Sequence, residues 1–329
     1  MDTSSSSRRS FSAAVASGIA LAASPRIFAQ SKWPSKSITC TVAFAPGGGT
    51  DFVMRTIGPA LSARLGQPFS IDNRPGASGV LAAQHVAQAQ ADGHTLFGTD
   101  GGAVVINAAV FPKLPYDPRR DLVPVAMVIR APVLILVHPS FPANDLRGMV
   151  EIARRDKTFS YASVGQGTYQ SLAMELLKRS AKFEALDIPY KGGAPAAQAV
   201  IAGQVPVMAQ GAVAGIPQVR NGTLKCLAVL TRKRVDAIPN VPTALEQGFD
   251  DIDLYPWVGV MAPRGTPSEI VSRLNSEINA ATMTPEINKR FKDLGMEPFS
   301  ISPEAFGNYI ENEIARLHPL IRSLNIKLD

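Results

Sequence analysis

Three glycine-rich turns carry residue types that suit the binding of a small anion. In the first, Phe44-Ala45-Pro46-Gly47-Gly48-Gly49-Thr50-Asp51, the glycines permit positive φ angles and let a ligand approach the main chain without meeting a Cβ. Thr50 is the predicted N-cap of the following helix, and the free N–H groups of a first helical turn favour an anion. The turn lacks the Lys-Ser/Thr ending of a nucleotide P-loop and the last glycine of a dinucleotide fingerprint. It therefore favours a carboxylate as the ligand. The alternative is that the turn is a plain strand-to-helix connection without a binding role.

The second turn, Ser163-Val164-Gly165-Gln166-Gly167-Thr168, repeats this pattern. It follows the predicted strand 159–162, and Thr168 is the predicted N-cap of an amphipathic helix. Two helix N-termini facing one cleft would hold an anion from both sides and would couple its binding to domain closure. The alternative is that both turns are ordinary connections, since all α/β proteins reuse this unit.

A third turn, Pro189-Tyr190-Lys191-Gly192-Gly193, adds a phenol and a cation. Lys191 would neutralise a second carboxylate, and Tyr190 would stack on the ligand or hydrogen-bond to it. Alternatively, Lys191 is a solvated loop residue. Asp51 also has two interpretations: it selects a ligand hydroxyl or ammonium if it reaches the cleft, and it complements the helix dipole if it does not.

The residues that carry most enzyme chemistry are not grouped in this sequence. The four histidines are dispersed, and no Gly-x-Ser-x-Gly nucleophile elbow is present. Cys40 and Cys226 lie in apolar, strand-like runs and are expected to be buried thiols rather than a disulfide. We therefore expect no catalytic residue, no metal and no cofactor, and a secreted hydrolase remains only as an alternative function.

Alternating strands and helices position the three turns. Strands are predicted at 38–44 and at 95–99, the latter ending in Asp100-Gly101-Gly102, and a long β-rich run at 123–137 is broken by Pro132. This pattern predicts open, mostly parallel sheets covered by helices. In such sheets ligands bind beyond the carboxyl ends of the strands.

The first 29 residues are predicted to be an export signal rather than part of the fold. Arg8 and Arg9 precede a short, mildly apolar run at 13–23, and Ala29 offers a small residue for cleavage. Paired arginines are typical of twin-arginine export, and the run is too short to span a bilayer. The mature protein is therefore expected in the periplasm, without insertion into the membrane.

The charge of the chain argues against a nucleic-acid partner. Its 329 residues include 33 basic and 27 acidic side chains, a formal charge of +6. Loss of the signal removes three arginines and one aspartate, which leaves a net charge of +4. Because the basic residues are scattered, they form no electrostatic footprint for nucleic acid.

Taken in order, eight short stretches resemble the receptors of the tripartite tricarboxylate transporter family, often called Bug proteins. They cover essentially the whole mature chain, and the ordered set is far more specific than any one of them. The stretches are 44–51, Asp72-Asn73-Arg74-Pro75-Gly76-Ala77-Ser78-Gly79, Asp92-Gly93-His94-Thr95-Leu96, Leu114-Pro115-Tyr116-Asp117-Pro118, 161–168, 189–193, Pro239-Asn240-Val241-Pro242-Thr243 and Ala262-Pro263-Arg264-Gly265-Thr266-Pro267.

The resemblance implies an α/β, two-domain, periplasmic-binding-protein-like fold of type II. Two open mixed sheets would be flanked by helices, with two crossovers and a ligand cleft between the domains. Residues 30–130 plus 225–329 would form domain 1, and residues 131–224 domain 2. In such receptors main-chain N–H groups of the first loop and of second-domain loops hold the ligand carboxylate, partly through ordered water. The ligand-binding residues carried over are Phe44, Gly47, Gly48, Gly49, Thr50, Asp51, Ser163, Gly165, Thr168, Tyr190 and Lys191.

The resemblance also implies a function. The protein, expected to be monomeric, would capture a small mono- or dicarboxylate in the periplasm and deliver it to the membrane permease subunits of a tripartite tricarboxylate transporter. Presentation of the ligand to a signalling protein is the second non-enzymatic alternative. The sequence departs from the family at Ala45, Pro206 and Ala209-Gln210, which leaves open how the far end of the ligand is held.

Overall fold

The computed structural model describes residues 33–249 and 252–324. The predicted export signal, with its cleavage point after Ala29, lies outside the described residues. The strands are, in chain order, β1 (Ile38–Val42), β2 (Phe69–Asn73), β3 (Thr95–Asp100), β4 (Leu122–Arg130), β5 (Val133–Val137), β6 (Ser160–Ser163), β7 (Leu186–Pro189), β8 (Val207–Gly211), β9 (Lys225–Val229), β10 (Trp257–Pro263) and β11 (Glu297–Pro298).

Helices alternate with these strands along most of the described chain. They are α1 (Gly49–Leu65), α2 (Val80–Ala87), α3 (Asn107–Val110), α4 (Leu146–Arg155), α5 (Tyr169–Ala181), α6 (Gly193–Ile201), α7 (Ala212–Arg220), α8 (Ser268–Thr282), α9 (Pro285–Asp293) and α10 (Pro303–Ser323). A π-helical turn at Gly102–Ile106 leads into α3. The alternation that the sequence predicts is therefore present.

The described strands form two sheets. The first has the order β11-β4-β10-β3-β1-β2, in which β1 runs parallel to β2 and β3, whereas β10 runs antiparallel to β3 and β4. The second has the order β7-β6-β8-β5-β9, in which β6 runs parallel to β7 and β8, and β5 antiparallel to β8 and β9. Both sheets are mixed and open, as the predicted fold class requires.

The chain crosses between the sheets twice. The first crossing, between β4 and β5, consists of Ala131 and Pro132. Pro132 interrupts the apolar run, because proline has no N–H group to donate to a neighbouring strand. The second crossing, 230–256, lies between β9 and β10. The two crossings are in contact, since the N–H group of Ala131 donates to the carbonyl oxygen of Pro256 at 2.9 Å. Neighbouring crossings of this kind suit a hinge between the two sheets.

The predicted domain division after residue 224 remains a prediction. β9 belongs to domain 1 in that division, yet it is hydrogen-bonded to β5 of the second sheet. A division drawn by sheet membership would therefore fall after β9.

Both cysteines are free, buried thiols, as the sequence predicts. Burial raises the pKa of Cys40 and of Cys226 to about 12. Neither thiol is therefore ionised at neutral pH, and neither is available as a nucleophile. Among the helices that the structure describes, none is long and apolar enough to cross a bilayer.

The packing of α10 on the first sheet depends on a glycine in β10. A Cβ at Gly259 would lie 2.8 Å from the carbonyl oxygen of Ala126 on β4 and 2.7 Å from the ring of Phe306 on α10. Phe306 also packs edge-on against Trp257, with ring centroids 4.9 Å apart. There is thus no space for even one methyl group at this position.

We expect Gly259→Ala to lower the free energy of unfolding by about 1–3 kcal/mol, because overpacking forces neighbouring groups to move. Urea denaturation of the purified protein measures the change. Gly307→Ala is the matched control: its Cβ would lie 3.6 Å from Pro124, an ordinary contact, and alanine is the better helix former within α10. Equal stability of the two variants would contradict the packing argument.

Candidate functional site

A cavity of about 130 Å³ lies where loops from the two sheets meet. Roughly 10–15 Å³ of such space holds one water molecule, so the cavity accommodates a small organic molecule. Residues 44–50 of the first turn and 191–195 of the third turn line it. The other walls come from β3, β4, β8 and β10, the starts of α5 and α7, and the two crossings.

The first turn does not have the predicted cap. Helix α1 begins at Gly49 with Gly48 as its N-cap in an extended conformation, so the prediction that Thr50 is the N-cap is wrong. Asp51, the third helical residue, reaches back instead and accepts a hydrogen bond from the N–H group of Gly47 at 2.9 Å. An acid at this position satisfies the donor before the helix much as in a capping box. Gly47 itself has a φ of +82°, which favours glycine.

Asp51 is the centre of a hydrogen-bond network that fixes the first turn. Its carboxylate accepts from Nε of Arg55 at 2.9 Å and from Nδ2 of Asn73 at 2.9 Å. Asn73 also donates to the carbonyl oxygen of Phe44 at 2.9 Å, which ties the turn to the end of β2. Burial alone would raise the pKa of the Asp51 carboxyl, but the hydrogen bonds from Arg55, Gly47 and Asn73 outweigh it and hold this pKa below its usual value. Asp51 therefore orders the loop, while its side chain is only 4% exposed.

The second turn is closed on itself. Thr168 is the N-cap of α5, as predicted, and accepts from the N–H group of Ser171 at 3.3 Å. Its hydroxyl donates to the carbonyl oxygen of Gly165 at 2.8 Å, and Oγ of Ser163 accepts from the N–H group of Gly165 at 3.2 Å. Ser163, Gly165 and Thr168 do not line the cavity, whereas Val164 does.

The third turn opens towards the cavity. Helix α6 begins at Gly193 after Gly192, whose φ of +126° is accessible to glycine. Lys191 lines the cavity and is exposed, whereas Tyr190 does not line it and donates its N–H group to the carbonyl oxygen of Ser163 at 2.9 Å. Helices α1 and α6 therefore both begin at the cavity wall, as does α7 after its N-cap Gly211.

The structure brings six of the eleven predicted site residues to the cavity wall. These are Phe44, Gly47, Gly48, Gly49, Thr50 and Lys191. The other five do not line the cavity but make hydrogen bonds within or between the turns. They are Asp51, Ser163, Gly165, Thr168 and Tyr190. Contact of any of them with a ligand remains a prediction.

Sequence reasoning missed several side chains of the wall. Asp100 lies at the carboxyl end of β3. Ligands of open α/β sheets bind beyond such strand ends, and this rule could have identified Asp100 from the sequence. Gln170 lies at the start of α5, Gln210 near the end of β8, and Val213 in α7. None of these three belongs to one of the eight motif stretches, and Gln210 stood out only as a departure from the family, so the fold alone brings them to the cavity.

Trp257 forms part of the wall from the start of β10. It is fully buried, and its Nε1 has no hydrogen-bond partner within the described residues. A large aromatic ring here contributes mainly buried apolar area. No group of three or more His, Cys, Asp or Glu side chains that could hold a metal ion occurs in residues 33–249 and 252–324.

Comparison with known proteins identifies the family. A sequence-family model described as the tripartite tricarboxylate transporter family receptor matches residues 53–326. The chain belongs to this family. The receptor is 32% identical over 298 residues to the protein BugT of Bordetella pertussis, a match that covers 90% of this chain and 91% of BugT. The resemblance stated from the eight stretches is therefore confirmed.

Two solved structures from Rhodopseudomonas palustris are similar to the receptor. MatC with bound malate is 35% identical, with a TM-score of 0.84, and the match covers 88% of this chain and 100% of MatC. Rpa4515 with adipate is 34% identical, with a TM-score of 0.87, and the match covers 90% of this chain and 99% of that protein. The predicted periplasmic-binding-protein-like fold of type II is confirmed.

We expect Asp51→Asn to lower the free energy of unfolding at pH 7 by roughly 1–3 kcal/mol, because an amide replaces a charged acceptor of several hydrogen bonds. The pKa of Asp51 is lower in the folded protein than its ordinary value of 3.8. The stabilisation is therefore present above that value and is lost as the pH falls through the folded pKa. Urea denaturation at pH 7 and at a pH below 3.8 should show the two proteins converging in acid.

Asp72→Asn is the matched control. Asp72 pairs with Arg74 on the surface, where its side chain is 40% exposed, so its loss should cost less than about 1 kcal/mol. If both variants lose the same stability at pH 7, Asp51 does not have the ordering role described above.

Proposed function

We propose that the receptor captures a small mono- or dicarboxylate in the cavity and delivers it to the membrane permease subunits of a tripartite tricarboxylate transporter. The observation that carries the proposal is that α1 and α6 both begin at the cavity, one beside each sheet. The N–H groups of a first helical turn have no partner in their own helix and bear partial positive charge. Each helix start contributes about 0.3–1 kcal/mol to holding an anion, and up to about 2 kcal/mol where water is excluded.

The polar groups of the wall fit this ligand class. Gly48, Gly49 and Thr50 provide main chain that side chains do not shield, and Lys191 provides one cation at the mouth. Most of the remaining wall is apolar, as in small-molecule sites where a few polar groups fix orientation. A first carboxylate would bind to the helix starts, and Lys191 would neutralise a second one.

The relatives support the same class. MatC has bound malate and Rpa4515 has adipate in their solved structures. Both ligands are small carboxylic acids, and both proteins align with nearly the whole described chain. We carry over the chemical class only.

The cleft would close around the bound ligand. The ligand would contact loops of both sheets, while the adjoining crossings at Ala131 and Pro256 would serve as the hinge. We further propose that residues 30–130 with 225–329 and residues 131–224 are the two moving domains. The supporting residues Asp51, Ser163, Gly165, Thr168 and Tyr190 would hold the ligand loops in shape.

The cellular setting follows from the family and from the first 29 residues of the sequence. We propose that the mature chain acts in the periplasm as a monomer after removal of the signal near Ala29. Catalysis and cofactors have no part in this proposal.

A thermal-shift screen tests the ligand class directly. The chain without its signal, unfolded and refolded to remove copurified ligand, is mixed with succinate, malate, aspartate, adipate and benzoate. Ligand at about a hundred times its Kd stabilises the folded state by about 2.7 kcal/mol, which raises the midpoint by several degrees. A folded protein that responds to none of these acids, nor to a wider carboxylate set, would contradict the proposal.

We expect Gly49→Val to abolish carboxylate binding. The Cβ at this position would lie 3.8 Å from Val213, so the valine methyls would fill the gap between α1 and α7 and cover the main-chain N–H groups. Isothermal titration should show at least about a tenfold loss of affinity, which corresponds to 1.4 kcal/mol. Gly307→Val, on α10 and outside the cavity, is the matched control and should bind as the wild type does. Unchanged affinity in Gly49→Val would rule out the first helix start as the site.

A further inference from the structure

The cavity contains an acid that the proposed carboxylate site does not use. Asp100 ends β3 opposite Val258 of β10, and its side chain reaches the cavity wall. Among the residues of the described chain that line the cavity, Asp100 is the one acid and Lys191 the one base. Oδ1 of Asp100 accepts from the N–H group of Gly102 at 2.9 Å, and no basic side chain pairs with it in the part of the chain described.

The main chain that follows this acid is tightly packed. A Cβ at Gly101 would lie 2.5 Å from Oη of Tyr169 and 2.8 Å from Nε1 of Trp257. A Cβ at Gly102 would lie 3.2 Å from the carbonyl oxygen of Gly167, which belongs to the second turn. Because Tyr169, Trp257 and Gly167 enclose these two glycines, the main chain beside Asp100 has no room to move, and the hydrogen bond from Gly102 holds the carboxylate against it.

A carboxylate held in this way is stabilised by a ligand group that donates a hydrogen bond to it. Burial raises the pKa of Asp100 to about 6, and hydrogen bonds from the main chain at Gly102 and Ala103 offset this only in part. At neutral pH the group is therefore mostly charged, although the residue is only partly exposed to water. A ligand methylene group placed against it would displace water without supplying a hydrogen-bond donor, and a second ligand carboxylate would be repelled. A ligand hydroxyl or ammonium would donate to it and remove this cost.

We propose that Asp100 makes the cleft specific for carboxylates that also carry a hydroxyl or ammonium group, which donates to the Asp100 carboxylate. This inference rests on the proposed carboxylate function and narrows its ligand class. It gives Asp100 the role that the sequence suggested for Asp51, whose carboxylate already accepts from Gly47, Arg55 and Asn73.

Two series of acids that differ only in the donor group test the inference. One is succinate, malate and aspartate. The other is 3-phenylpropanoate, 3-phenyllactate and phenylalanine, whose ring suits the apolar walls. Isothermal titration of the wild-type chain at pH 7.5 gives the affinity for each. We expect the hydroxylated and aminated members of at least one series to bind about tenfold more tightly than the unsubstituted member, as for a charge-assisted hydrogen bond.

Asp100→Asn preserves shape and the acceptor for Gly102 but removes the charge. We expect it to lose the preference for the ammonium group by at least about tenfold, while the unsubstituted acid binds as well as before or better. Asp72→Asn, on the surface, should retain the wild-type preference. If Asp100→Asn folds poorly, the smaller substitution Asp100→Ser replaces it in the test. Asp100→Ser should lose the preference in the same way.

The outcomes separate this inference from the function on which it rests. If acids bind to the wild type with equal affinity whatever their substituent, or if Asp100→Asn keeps the wild-type preference, the inference is overturned and carboxylate binding stands. If the wild type binds none of the six acids and no other carboxylate, the proposed function fails and the inference fails with it.

Discussion

The Asp51 carboxylate determines the conformation of the first turn, and the cavity depends on that turn. The carboxylate holds the N–H group of Gly47, the guanidinium of Arg55 and the amide of Asn73 together. These three donors come from the turn, from α1 and from the end of β2. One buried acid thus converts a run of three glycines, which by itself has many accessible conformations, into a single shape. Gly48, Gly49 and Thr50 at the start of α1 line the cavity as a result.

The cavity wall has several helix starts but few charged side chains. A fixed dipole at a helix start is already oriented before the ligand arrives, so binding requires little reorganisation of the protein. Only one acid and one base, Asp100 and Lys191, lie among the described lining residues. In the proposed function these two charges select the polar groups of the ligand, and water screens the partly buried Asp100 less than the exposed Lys191. Asp100 is partly buried and accepts a hydrogen bond from the N–H group of Gly102, whereas Lys191 is exposed.

Much of the fold could be predicted because it depends on local patterns. The alternation of apolar strands and amphipathic helices placed β1, β3 and the β4–β5 run, and Pro132 marked the first crossing. Capping by Thr168 was also predictable, since the rule involves neighbouring residues only. The cap of α1 was not, because Gly48 takes that position only when the Asp51 side chain reaches back to Gly47. That contact is stabilised by Asn73, which lies 22 residues further along the chain.

The sequence by itself determined the family, the alternating α/β architecture and the glycine turns, because ordered motifs and periodicity are properties of the chain. Only the tertiary structure decided which turns line the cavity. The first and second turns share one sequence pattern, yet residues 44–50 of the first line the cavity, whereas the second closes on itself through Ser163 and Thr168 and contributes only Val164 to the wall. Likewise, Asp100 and Val213 line the same cavity although they lie far apart in sequence. Distances between side chains on different elements depend on how the sheets pack, and local sequence carries no information about that packing.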